Sequence, residues 1–143
     1  MIIMDTNVLV AALRSRTGWS RRMLAQVLRA ELVAGVSVPL FIEYEAVLQR
    51  VEHRDAFGLS SAEVDAFLAG LSSVLQPIDI SFLWRPQLKD PADEMVLEAA
   101  VNGQCSHLIT WNLRDFAQAT PRFNLQLCTP ATYFSTQDRA HPH

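Results

Sequence analysis

Met1-Ile2-Ile3-Met4-Asp5-Thr6-Asn7-Val8-Leu9 passes from four apolar residues to a carboxylate and then straight into helix-forming chemistry. Met1–Met4 is too brief to alternate and reads as a short buried strand. Asp5, Thr6 and Asn7 are residue types that start helices, and Val8, Leu9, Ala11, Ala12 and Leu13 supply the apolar face that follows. A strand that hands over to a helix through an acid opens a β-α unit. The rest of the chain repeats that alternation.

Thr17-Gly18 breaks the first helix, and Met23, Leu24, Val27, Leu28 and Leu32 form a second at 3-to-4 spacing. Gly35–Val38 reads as a second strand ended by Pro39. Leu40, Tyr44, Val47, Leu48 and Val51 mark a third helix. Ser60, three residues before Glu63, is a capping-box signature for a helix through Val64, Phe67, Leu68 and Leu71. Val74–Ile80 is expected to be extended around Pro77. Asp90-Pro91-Ala92-Asp93 combines an Asp N-cap, a proline at the first helical position and an acid at the third, and the helix runs to Gly103. Ser106–Thr110 reads as a buried strand, and Arg122–Cys128 as a last strand with Phe123, Leu125 and Leu127 alternating. Helices alternating with short apolar strands imply an α/β domain with a mainly parallel sheet. In such sheets ligands gather beyond the carboxyl ends of the strands, which directs attention to the acids there.

The chain has 143 residues, half of them hydrophobic and 19% charged, enough for one domain with a proper core. No apolar run approaches the roughly 18 residues of a membrane span. The start lacks a basic n-region and meets Asp5 almost at once, so a secretory leader is not expected and the reading is cytoplasmic. Cys105 and Cys128 have no zinc-type spacing and read as buried reduced thiols. The net charge of −3 conceals an asymmetry. Residues 1–30 carry five arginines (Arg14, Arg16, Arg21, Arg22 and Arg29) against Asp5, a balance of +4, which leaves −7 for the remainder. Arginine's planar fork suits phosphate, so Arg14, Arg16, Arg21 and Arg22 are candidate phosphate contacts; the alternative is a solvated helix face.

Asp5 follows the first strand and Asp115 lies five residues past Thr110; each could equally be a cap or turn acid. Asp93 shares a face with Val96, Leu97 and Ala100, and a carboxylate on an apolar stripe needs compensation, from a cation or from the helix dipole. Glu43 and Glu45 fall on opposite rims of the third helix's stripe, and periodicity does not choose between them. Converging carboxylates repel, and hard cations such as Mg²⁺ or Mn²⁺ resolve the conflict while keeping waters to share with a phosphate. His107, inside a strand, reads as a core histidine. The residues thus favour metal-assisted phosphodiester hydrolysis over histidine acid–base cleavage.

These motifs together resemble the PIN-domain family, which includes VapC-type toxins of toxin–antitoxin pairs. The likeness runs through Ile2–Leu9, Glu43-Tyr44-Glu45-Ala46-Val47-Leu48, Asp90–Ala100 and Leu108-Ile109-Thr110-Trp111-Asn112-Leu113-Arg114-Asp115-Phe116. It implies a three-layer α/β/α domain over residues 1–134 with a central, mainly parallel sheet of four to five strands, followed by a disordered tail, 135–143. It also implies Mg²⁺- or Mn²⁺-dependent endoribonuclease activity, homodimerisation and a cognate antitoxin. By this resemblance Asp5, Glu43, Asp93 and Asp115 are the catalytic acids, with Asp5, Asp93 and Asp115 on the metal. Thr6, Asn7, Asp90, Thr110 and Asn112 are accessory. The fourth acid is divided between two positions, because the nearer one holds the amide Asn112 and the farther holds Asp115. Two other readings compete. One is a catalytically weak or inactive PIN-like module that binds RNA or a protein partner. The other is a phosphatase with Asp5 as nucleophile, which wants a second aspartate where Asn7 stands.

Overall fold

Ile2, Ile3 and Met4 are all buried, as expected of a parallel strand covered on both faces. In the computed structural model, which describes residues 1–82 and 87–140, they form β1 (Ile2–Met4). The chain continues with α1 (Thr6–Arg14), α2 (Trp19–Leu28), β2 (Gly35–Val36), α3 (Val38–Leu48), α4 (Val51–Phe57), α5 (Ser61–Ser72) and β3 (Gln76–Pro77). Then come α6 (Pro91–Asn102), β4 (His107–Ile109), α7 (Leu113–Phe116), a 3₁₀ turn (Thr120–Phe123), β5 (Gln126–Cys128) and α8 (Pro130–Ala140).

Among the described residues every strand pair is parallel: β1 with β4, β4 with β5, and β2 with β3. A bridge from Ile2 to Ala34 and the Ile2 N–H donated to the Val33 carbonyl (3.0 Å) bring the β2–β3 pair alongside β1. The spatial order is therefore β3-β2-β1-β4-β5. Connections leaving β1 run outward to β3, then the chain returns through α6 to the other side of β1. Right-handed crossovers in opposite directions cover opposite faces of the sheet, which produces the expected three layers. The order reverses between β1 and β4, and the crevice at their carboxyl ends is where such folds hold ligands.

Local signals hold up where they are strongest. Ser60 and Glu63 form the reciprocal capping box, at 3.1 and 3.0 Å. The Asp90 carboxylate caps α6 by accepting from the Ala92 N–H at 2.9 Å.

Four boundaries need correction. Pro39 does not close a strand through Val38; Ser37 caps α3 by accepting from the Leu40 N–H, so Pro39 sits in that helix's first turn. The third helix stops at Leu48, because Arg50 is extended and starts α4. Of the expected Arg122–Cys128 strand, only Gln126–Cys128 is one; the left-handed Asn124 separates it from the 3₁₀ turn. The segment expected to be a tail from residue 135 is helical through Ala140. Phe134 is buried and stacks on Trp19, and Arg22 lies 4.0 Å over its ring while pairing with Asp138 at 3.1 Å. The remaining residues of that tail, 141–143, lie outside the described residues.

Candidate metal-binding and nuclease site

The carboxyl ends of β1 and β4 are joined side by side. The Asp5 N–H donates to the Ile109 carbonyl at 2.9 Å, which sets the next residue of each strand at the switch point. There the Thr110 hydroxyl donates to Asp5 Oδ2 at 2.8 Å. The same Oγ1 accepts from Asn7 Nδ2 (3.2 Å) and from the Asn112 N–H (3.0 Å). Its one proton and both lone pairs are thus committed. Asn7 completes the loop by accepting from the Trp111 N–H at 3.2 Å. With both ends of its amide engaged, Asn7 ties α1 to the β4–α7 connection.

Asp5 occupies the N-cap position of α1, yet its side chain forms no capping hydrogen bond. The Thr6 and Asn7 backbone N–H groups nevertheless face it and favour its charged form. Burial dominates and pushes its pKa up, opposed by Thr110 and those two amides and aided by the charge of Asp115. Asp5 is thus an N-cap by position that also faces across the switch point, where Thr110 donates to it.

Asp93 stands at the third position of α6, half-buried. Burial first, then the charges of Asp5, Asp90, Asp115 and Glu94, raise its pKa to about 7. Asp115 and Asp93 line an open cleft of about 440 Å³ together with Leu88, Lys89, Asp90 and Arg114. Asp5, Asp93 and Asp115 thus share one electrostatic neighbourhood, drawn from β1, α6 and α7. Their donor set is all oxygen, anionic and mutually repelling, which fits a hard divalent cation. Among the described residues no three acidic, histidine or cysteine side chains close tightly enough to enclose one.

Glu43 is half-buried on α3 and Glu45 is exposed. Glu43 is not among the charges that shift Asp5 or Asp93. Its neighbour Tyr44 is fully buried, and the Tyr44 hydroxyl donates to the Met4 carbonyl at 2.5 Å, one residue before Asp5. Burial and the charge of Asp5 both raise the Tyr44 pKa, which holds it as a neutral donor. The sequence presents Tyr44 only as part of an apolar stripe. Glu94 was also missed: 4% exposed, it accepts from the Gln87 and Leu88 N–H groups at 2.5 and 2.6 Å and so holds one wall of the cleft.

The arginines divide. Arg21 donates to the Ala12 carbonyl at 2.9 Å and Arg22 pairs with Asp138, so both have structural work. Arg14 and Arg16 are exposed around the α1–α2 connection. His107 lies at the other end of β4 from Thr110, edge-on to Tyr133 at 5.2 Å, and burial lowers its pKa, as suits a packed histidine. Cys105 and Cys128 are free thiols that burial pushes up to about 11.

The sequence model of the PIN domain matches residues 1–114, about four-fifths of the chain. The chain belongs to the PIN-domain family. The match takes in Asp5, Glu43, Asp93 and Asn112 and stops one residue short of Asp115. No curated protein matches. Among solved structures, a chain of VapBC2 from Rickettsia felis, bound to a DNA fragment from its promoter, is similar to this PIN domain. The TM-score is 0.57 at 20% identity, over 89% of this chain and 97% of that one, a likeness of fold.

Proposed function

We propose that this PIN-domain protein is a metal-dependent endoribonuclease, the toxin of a toxin–antitoxin pair. The observation that carries the reading is the unneutralised acid set at the β1/β4 switch point, with Asp93 raised to about 7 by burial and by its neighbours' charge. Asp5, Asp93 and Asp115 are the residues that would hold Mg²⁺ or Mn²⁺, with Glu43 from α3 as a further catalytic acid. Such an ion, when bound, supplies Lewis acidity at a phosphate oxygen and lowers the pKa of a water. Thr110 holds the Asp5 carboxylate in one orientation through its only hydroxyl proton. Asp93 keeps a proton on its carboxyl into the neutral range and releases it as positive charge approaches. Of the four candidate arginines, Arg14 and Arg16 make no side-chain hydrogen bond among the described residues and are the ones offered to an RNA phosphate, and Arg114 and Lys89 border the cleft itself.

The family reading brings a cytoplasmic location, a cognate antitoxin and a homodimer. The VapBC2 structure, of proteins bound to DNA from their own promoter, supports the antitoxin. Val38 and Ile42, 72% and 60% exposed and four residues apart on α3, offer apolar surface for a second chain. No helix among the described residues is long and apolar enough to cross a membrane. The purified protein is expected to cut RNA with Mg²⁺ or Mn²⁺ and to lose that activity in Asp5→Asn and in Asp93→Asn. Undiminished cleavage by both variants overturns the assignment. A non-catalytic module that binds RNA or a partner is the second reading, favoured by the exposed amide Asn112 at the nearer fourth position; it predicts RNA binding without cleavage at any metal concentration.

A further inference from the structure

Trp111 is a large aromatic residue, 40% exposed, in the connection that carries Thr110. Its exposure is not that of a loose side chain. The indole Nε1–H donates to Ser20 Oγ at 2.8 Å, and Ser20 is itself buried in the first turn of α2. The backbone N–H donates to Asn7 Oδ1, and Asn7 donates to the Thr110 hydroxyl that holds Asp5. Ring and backbone are therefore fixed at separate points, one of them part of the site's own hydrogen-bond network. The indole leans toward α2, whereas the acid-lined cleft opens between α6 and α7. Asp5 is tied by hydrogen bonds to the first flank and by charge to the second.

We infer that Trp111 is a nucleobase-stacking residue, which seats one unpaired base of the RNA on the α1–α2 flank of Asp5. Proteins hold unpaired bases by stacking them on aromatic faces, a contact every base can make. A ring pinned at its N–H edge keeps its faces free and has little conformational freedom left to lose on binding. The interior base pairs of a duplex are covered on both faces and have none to offer such a ring. This inference rests on the ribonuclease reading for its substrate, but it is tested by binding and does not require cleavage.

The experiment titrates metal-free protein, kept in chelator, with a short oligouridylate, an oligoadenylate and a blunt RNA duplex of equal length, following tryptophan fluorescence. Single strands are expected to quench the wild type and the duplex is not. Trp111→Phe should lose the quench and keep most of the affinity, because a face remains. Trp111→Ala should bind single strands roughly 5- to 100-fold more weakly. Ser20→Ala frees the ring and should weaken binding by less. In turnover with metal, Trp111→Ala should raise KM and leave kcat within a few-fold. Equal binding of single strand by the wild type and Trp111→Ala, or a loss confined to kcat and thermal stability, would assign Trp111 to loop packing and overturn the inference. Cleavage with no effect of Trp111→Ala refutes stacking alone; quenching without cleavage at any metal concentration refutes the nuclease reading alone.

Discussion

Thr110 donates its hydroxyl proton to Asp5 Oδ2 across 2.8 Å, linking the ends of two strands that lie 105 residues apart in the chain. Both residues are buried, at 0% and 8% exposure, so the bond is shielded from water. The same hydroxyl is the acceptor for Asn7 and for the Asn112 N–H, so one oxygen organises three segments.

Thr110→Val keeps the shape and removes all three hydrogen bonds. It is expected to destabilise the fold by about 1–3 kcal/mol, the usual cost of stranding buried polar partners. Because Thr110 lowers the Asp5 pKa, its loss should raise that pKa further. Thr110→Ser should restore most of both. Urea denaturation and carboxyl NMR titration are the measurements.

Asp93 is expected to titrate near 7 in metal-free protein, and to fall toward its ordinary value of 3.8 in Asp5→Asn and in Asp115→Asn. The unfolded chain releases this proton first as pH rises. The native state therefore binds more protons between about 4 and 7, and the contribution to stability falls across that window. Above it, the ionised cluster should make divalent cations stabilising, with a larger shift in Tm at pH 8 than at pH 5. A cation effect that does not change between those pH values contradicts the proposal.

Glu94→Ala should loosen the cleft wall, because two N–H groups lose their only described acceptor. Hydrogen bonds to a charged group contribute roughly 1.5–3 kcal/mol each. Faster amide exchange at Gln87 and Leu88 is the direct readout. Glu94→Gln, which retains the accepting oxygen, should exchange more slowly than Glu94→Ala.

Phe134→Ala is expected to cost about 3–5 kcal/mol, since the ring is 2% exposed in the core. Arg22→Ala should cost far less, because its ion pair with Asp138 is exposed. A truncation after Thr129, which removes all of α8, should unfold at markedly lower denaturant.

Those expectations trace what the chain discloses locally and what it does not. Asp90, Pro91 and Gly103 bracket α6, and Ser60 with Glu63 starts α5, through contacts within a few residues; such signals survive in any tertiary setting. Pro39 carries two meanings, strand end or helix start, and only the Ser37 hydroxyl decides between them. The helix over 130–140 owes its order to Trp19 and Arg22, more than 100 residues away, so no local pattern announces it. At the site, Asp5 and Asp93 stand out because an acid at a strand end or on an apolar face is unusual enough to notice. Trp111 does not, because its partner Ser20 is 91 residues off. Glu43 is set over Glu45 by family likeness; in the fold Glu43 is half-buried and Glu45 exposed, and neither is among the charges acting on Asp5 or Asp93.

The position of β4 beside β1 has a consequence for the order of events during synthesis. The ribosome delivers Asp5 well ahead of Asp93, Thr110 and Asp115, which follow it by 88, 105 and 110 residues. A chain made only as far as α5 carries Asp5 and Glu43 but not Asp93, Thr110 or Asp115. The switch point is therefore assembled only once β4 has been made and laid beside β1, after the connecting helices.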